Sequence, residues 1–432
     1  MWLTQPLLRR KMRRRGVAEP GYLQAVEERF GRYEVPAGSG FVWLHAVSLG
    51  ETRTSAILLK ALREAMPEMR LLLTHGTATG RAEGRALLRP GDVQVWQPWD
   101  SAGATRRFLA HFKPGIGILM ETEIWPNLVA KSAEAGVPLV LVNARLSEKT
   151  LLQTERLAVL ARPAYGGLAA AWAQTEDDAA RLRSLGAPVR GVLGNLKFDA
   201  SPDPARLQTG QAWRRVWRDT TGRPIVLFAS AREGEEIQLL RSLQALRVRA
   251  QIALSSGDGQ YGVDDVQWLI VPRHPQRFDE VAALIAAEGF SLSRRSAWTD
   301  GPEPAEVWLG DSLGEMALYF GLGDLALLGG SFEPLGGQNL IEAAACACPV
   351  LMGPSTFNFS EAATLAEGAG AARRVAGMAE AVQAALDLLN APAALAEAAV
   401  AGPRFAGAHR GAAGKTAVAI TALLAEQSGA RA

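Results

Sequence analysis

At 432 residues the chain is too long for one compact core and fits two or three domains. Apolar residues at 48% and charged residues at 21% exclude a disordered chain, and a net charge of +2 gives no global attraction to nucleic acid. The two cysteines, Cys346 and Cys348, supply no disulfide framework and fit a reducing compartment.

The first 40 residues read as a segment of their own. Residues 9–15, R-R-K-M-R-R-R, carry six cations in seven positions. They follow a short apolar stretch, residues 1–8, whereas a secretory signal places its charges first. Three readings fit the block: a solvated tail, a membrane-surface foot helped by Trp2, Leu3, Leu7 and Leu8, or an RNA arm. An arm of that kind wants aromatic stacking partners, and none accompany it. No segment reaches the roughly 18 consecutive apolar residues of a membrane span.

Short β-rich runs then alternate with helical runs. Strands are expected at 41–48, 71–75, 93–96, 115–120, 138–143 and 170–175, with helices at 52–66, 126–136 and 176–185. This is the βαβ pattern of a parallel sheet. The alternation stops at G-N-L-K-F-D (194–199), and residues 200–224 carry no strand pattern, which places a domain boundary near 205. A second series has strands at 224–230, 268–272, 306–310, 325–330 and 349–353, with helices at 233–246, 277–288, 338–347 and 376–390. Residues 252–264 read as an insertion loop, and an Ala-rich helix closes the chain. The expected layout is 1–40, a Rossmann-like domain 41–205, a second one 206–405 and a terminal helix 406–432. Ligands of such folds sit at the carboxyl ends of the strands, in a crevice between the two halves.

Chemistry is therefore sought at strand ends. In H-A-V-S-L-G-E-T (45–52), Glu51 opens a helix and is either a carboxylate complementing the helix dipole or a general base. In M-E-T-E-I-W-P-N (120–127), Glu121 and Glu123 share a side if the strand persists. Two neighbouring carboxylates raise a pKa or require a cation. Their other reading is N-terminal charge on a helix started by Pro126. Lys197 lies at the domain handover and is either a solvated charge or an anion contact. In the second half, the amides after Ser230 are candidates for an anion at a helix start. Arg273 and His274 follow another strand. Glycine loops at 327–332 and 335–342 run into a helix on which Asn339 and Glu342 share a face. With F-A-S-A-R-E-G-E-E (228–236) and G-D-S-L-G-E-M (310–316) these make four glycine loops in one domain, which favours a nucleotide site. There is no Asp-X-Asp, no Walker lysine motif, no G-x-S-x-G elbow and no metal-ligand spacing among the five histidines. Cations and helix dipoles are thus expected to meet phosphate charge without a metal.

The motifs H-A-V-S-L-G-E-T, M-E-T-E-I-W-P-N-L, N-A-R-L-S, G-N-L-K-F-D, V-P-R-H-P-Q-R-F, G-D-S-L-G-E-M, G-G-Q-N-L-I-E-A-A and P-V-L-M-G-P-S-T-F-N-F, in this order from about residue 20 to about 400, resemble the bacterial 3-deoxy-D-manno-octulosonic acid (Kdo) transferases. The resemblance implies an α/β fold of GT-B type, with two Rossmann-like domains whose parallel sheets face across a cleft. It implies CMP-Kdo as donor, a lipid A precursor as acceptor and no metal cofactor. It implies work at the cytoplasmic face of the inner membrane, reached through the basic N-terminus or a short anchor, with no nucleic-acid partner. Glu51 is then the base, and Glu121 and Lys197 assist the transition state. CMP contacts fall on Pro272, Arg273, Leu313, Gly314, Glu315, Asn339, Leu340, Ile341 and Glu342. The rivals are a UDP-sugar transferase or epimerase on the same fold, and a two-lobed binding protein without catalysis.

Overall fold

The computed structural model describes residues 5–253 and 260–429. The chain divides into two compact units, Met1–Ala200 with His409–Ala432, and Ser201–Ala408. The N-terminal 40 residues and the last helix, set apart in the sequence reading, both belong to the first unit.

The first unit carries seven parallel strands: β1 (Val42–Ala46), β2 (Leu71–His75), β3 (Val93–Trp96), β4 (Ile116–Met120), β5 (Leu139–Ala144), β6 (Ala170–Ala173) and β7 (Val189–Val192). Their order is β3-β2-β1-β4-β5-β6-β7. The chain works outward from β1 in one direction and then resumes beside β1 with β4. The order reverses between those two strands, and their carboxyl ends mark the switch point at which such sheets receive ligands. Both faces of the sheet are covered. Trp43, Leu72 and Phe108 belong to one buried cluster, Val42, Leu44, Leu58 and Leu73 to the other. That two-sided burial is why the strands read as unbroken apolar runs.

The helix Ala412–Gly429 lies on the second of these faces, adding Ala413, Ala417, Ile420 and Leu423 to its core. Asp199 anchors it by accepting the Ala413 N–H at 2.6 Å. A run of alanines gives no sign in sequence of where it docks. The tertiary contact decides it.

The basic block forms the helix Gln5–Ala18. Met12 is buried in a small cluster with Tyr22 and Trp96. Arg9 pairs with Glu27 and lies 4.6 Å over the Phe30 ring. Arg10, Lys11, Arg13 and Arg14 stay exposed. The segment is thus a docked helix with a free cationic face. Trp2 and Leu3, assigned to the apolar foot, lie outside the described residues.

The second unit also carries seven parallel strands: β8 (Ile225–Ala231), β9 (Gln267–Pro272), β10 (Leu292–Arg294), β11 (Val307–Leu309), β12 (Leu325–Leu328), β13 (Val350–Met352) and β14 (Ala372–Arg374), in the order β10-β11-β9-β8-β12-β13-β14. Here the reversal falls between β8 and β12. With these sheets, the fold class is the expected α/β, GT-B type.

Three strands escaped the sequence reading: β7, β10 and β14. Each is an edge strand. Each is short, and β7 and β14 are only partly buried, with Arg190, Ser293 and Arg373 in place of apolar side chains. The segment 200–224, expected to carry no strand, holds the helix Pro204–Thr221, which the sequence reading did not assign. Its signals are local: Asp203 accepts the N–H groups of Ala205 and Arg206, Pro204 takes the first position, and Gly222 closes the helix at φ +70°. The expected insertion at 252–264 starts inside the helix Glu235–Ala253, residues 254–259 lie outside the described residues, and a short turn follows at Val263–Asp265.

Candidate active site

In the first unit, β1 ends at Ala46, and Ser48 caps the helix Leu49–Ala65 by accepting the Glu51 N–H at 3.3 Å. The Glu51 carboxylate turns back onto the strand end. It accepts the Val47 N–H at 2.9 Å and the Ser48 hydroxyl at 3.1 Å. This is a capping box in all but the identity of the amide. Both readings of Glu51 therefore meet in one residue, because the carboxylate that steadies the helix start also sits at the switch point. Burial raises its pKa to about 7, against the two hydrogen bonds, and the charges of Glu121 and Glu123 add to the rise. A half-buried carboxyl with its pKa near neutrality suits proton abstraction.

β4 ends at Met120, and there the strand conformation stops. Glu121 adopts φ +56°, a left-handed conformation that a side chain rarely takes. Glu121 and Glu123 consequently do not continue the strand as a same-side pair. The Glu121 side chain is buried, its carboxylate 3.0 Å from Arg145 Nε and 3.8 Å from Lys197 Nζ. Glu123 accepts the Trp125 indole N–H at 3.0 Å, and burial raises its pKa, as does the Glu121 charge. The helix Pro126–Glu134 starts as expected at Pro126.

Lys197 is held on a short turn, Leu196–Asp199, capped by Asn195. Burial lowers its pKa, while the carboxylates of Glu121 and Glu51 raise it. The first unit thus brings together all three residues assigned to catalysis, Glu51, Glu121 and Lys197. It also adds two that the sequence reading passed over. Arg145 supplies the cation that paired acids demand. Asn143, buried at the end of β5 with φ +50°, accepts the Leu196 N–H at 3.0 Å and so sets the height of the Lys197 turn. Both lie in N-A-R-L-S, which spans the end of a strand, and that is the signal that could have found them.

In the second unit, Pro272 ends β9. The Arg273 N–H donates to the Ala231 carbonyl at 2.9 Å, and its guanidinium Nε to Gln338 at 3.2 Å. Burial lowers the His274 pKa, and among its neighbours the cations Arg232, Arg273 and Arg277 push the same way. Leu313 is exposed and Gly314 has φ +74°. Glu315 is held at 3.0 Å by Arg295 and bonded by the Ser312 hydroxyl. Asn339 caps the short helix Leu340–Ala345 by accepting the Ile341 N–H at 3.2 Å. Glu342 is half-buried on its first turn. The side chains of Leu340 and Ile341 are fully buried, so a nucleotide contact there is restricted to main-chain atoms.

One expectation fails in detail. In the sequence, the amides after Ser230 are candidates for an incoming anion. The Arg232 N–H instead donates to Glu235, a carboxylate of the protein itself, at 2.9 Å. Cys346 and Cys348 are both buried, and burial pushes the Cys346 thiol up to about 12. They fill the core.

Residues 24–200 match the family model described as 3-Deoxy-D-manno-octulosonic-acid transferase (kdotransferase). The chain is 46% identical over 408 residues to the 3-deoxy-D-manno-octulosonic acid transferase of Bordetella pertussis, covering 91% of this chain and 90% of that one. It is 32% identical to the Haemophilus influenzae protein of the same name, over 83% and 82% of the two chains. Among solved structures it is similar to a glycosyltransferase from Rickettsia africae at 11% identity, with a TM-score of 0.56 over 89% of this chain and 98% of that one, a likeness of fold alone. The chain therefore belongs to the 3-deoxy-D-manno-octulosonic acid transferase family.

Proposed function

We propose that this protein transfers Kdo from CMP-Kdo to the lipid A precursor lipid IVA in lipopolysaccharide biosynthesis, with inversion and without a metal ion. The observation that carries this reading is the Glu51 carboxyl at the carboxyl end of β1, raised to about 7 by burial, beside the Glu121–Arg145–Lys197 cluster. Glu51 removes the proton from an acceptor hydroxyl. That oxygen attacks the anomeric carbon of Kdo from the face opposite the departing CMP. Lys197 assists the transition state as a fixed cation, and Arg273 is a contact for the nucleotide in the second unit. Glu121 keeps Lys197 and Arg145 in place.

The same reading places the enzyme at the cytoplasmic face of the inner membrane. The helix Gln5–Ala18 presents Arg10, Lys11, Arg13 and Arg14 together with Leu7. The helices Glu148–Glu155 and Ala158–Gly166, which follow Arg145 in the chain, expose Leu152, Leu157, Val159 and Leu160 beside Lys149, Arg156 and Arg162. Apolar side chains rimmed by cations suit an anionic lipid surface.

Incubation of the purified protein with CMP-Kdo and lipid IVA, read by mass spectrometry, tests the reading. The expected product is lipid IVA heavier by one or more Kdo residues, with CMP released. No mass gain, or transfer from a UDP-sugar instead, overturns it.

A further inference from the structure

Glu235 is fully buried at the start of the helix Glu235–Ala253. Four main-chain amides converge on its carboxylate. One oxygen accepts the N–H of Gly330 at 2.7 Å and of Arg232 at 2.9 Å. The other accepts those of Phe332 at 3.0 Å and Glu333 at 3.3 Å. Arg232 follows β8, and residues 330–333 follow β12, the neighbouring strand. The carboxylate therefore fills, from inside the protein, the amide nest that this switch point would otherwise offer to an anion.

The clamped turn continues to a cation. Gly330 holds φ +69°, and its carbonyl accepts the Gly337 N–H at 2.7 Å. This closes the loop 330–337 and sets Gln338 against Gly330, where an added Cβ would lie 3.1 Å from Gln338 Nε2. Gln338 Oε1 in turn accepts the Arg273 Nε–H at 3.2 Å. Carboxylate, glycine turn, amide and guanidinium form one connected series.

We propose that Glu235 is a positioning residue: by occupying the amide nest it fixes the 330–337 turn so that Gln338 aims Arg273 at the phosphate of the donor nucleotide. The inference rests on the reading above that this unit receives a cytidine nucleotide. Glu235 touches no substrate and acts through Gln338 and Arg273.

The test is calorimetric titration of the full-length protein with CMP and, in parallel, UDP. The proteins are wild type, Glu235→Gln, Gln338→Ala, Arg273→Ala and the double variant Glu235→Gln/Arg273→Ala. Glu235→Gln keeps the shape but turns an N–H donor toward amides that are themselves donors. It and Gln338→Ala should each weaken CMP binding by roughly 10- to 100-fold. In the Arg273→Ala background Glu235→Gln should add less than about twofold, because coupled residues are not additive. Donor KM should rise while acceptor KM holds. A merely structural role would lower the binding stoichiometry and kcat and leave the dissociation constant alone. Wild-type affinity in both single variants, or full additivity in the double one, overturns the proposal. If Glu235→Gln does not fold, Gln338→Ala and its pairing with Arg273→Ala decide by the same criteria. Wild-type binding of UDP without CMP sinks the donor assignment but leaves the cycle to be read with UDP. Binding of neither sinks both.

Discussion

The Lys197 ammonium lies 3.8 Å from a carboxylate oxygen of Glu121, whose other oxygen is 3.0 Å from Arg145 Nε. One carboxylate thus holds two cations beside the strand end that carries Glu51. Burial lowers the Lys197 pKa, and the carboxylates of Glu121 and Glu51 oppose that shift.

Glu51→Gln removes the base and keeps most of the helix start, since the amide oxygen can still accept the Val47 N–H. Turnover should fall by ~10²–10⁴-fold, with CMP affinity unchanged by calorimetry. Retention of wild-type turnover would exclude Glu51 as the base.

The rate should depend on pH through the same group. The base works ionised, and burial places its pKa at about 7. In wild type, kcat/KM should climb with pH and level off above about 7, and Glu51→Gln should flatten that limb. Stability runs the other way. The folded pKa is raised above the usual 4.5, so the contribution of Glu51 is full below that value and is lost as pH rises through about 7. Thermal unfolding of wild type and Glu51→Gln at about pH 5 and pH 8 checks the sign: the variant should lose less stability across that interval.

Lys197→Ala should lower kcat by about 10²–10³-fold, the usual cost of one preorganised electrostatic group. Tm should barely move, because Arg145 still neutralises the buried Glu121 carboxylate. The double variant Lys197→Ala/Arg145→Ala leaves that carboxylate unpaired, and its Tm should fall clearly below that of either single variant.

Gly210→Ala tests how the helix Pro204–Thr221 meets the helix Met316–Leu322. An added Cβ would come 2.1 Å from the Leu318 carbonyl oxygen, which is backbone and cannot swing aside. The expected loss is about 1–3 kcal/mol, read by denaturant unfolding. A neutral result would mean that the two helices are not in contact at this point.

Leu157→Asp combined with Leu160→Asp should reduce sedimentation with vesicles of anionic phospholipid and leave activity on detergent-dispersed acceptor intact. Both residues are exposed, so Tm should be unaffected. Undiminished vesicle binding would remove these helices from the membrane-facing surface.

The sequence by itself determined the two α/β series, the positions of the central strands and most of the residues at their ends. Central parallel strands are buried on both faces, so V-W-L-H-A (42–46) and L-V-L-V-N-A (139–144) announce themselves as apolar runs. Glu121 and Arg273 were legible because each directly follows such a run, whereas the roles of Glu51 and Lys197 came from the resemblance to the Kdo transferases. The edge strands β7, β10 and β14 were not, since an edge strand can keep polar side chains. Nor could the sequence place Ala412–Gly429 on the first sheet, because alanine packs against almost any surface and carries no address. Only the tertiary structure decided that Glu121 leaves the strand in a left-handed turn, that Arg145 and Lys197 share its carboxylate, and that Glu235 gathers the amide of Arg232 with those of Gly330, Phe332 and Glu333. The last two join residues far apart in the chain, and it is the parallel sheet, by aligning one end of every strand, that brings them together.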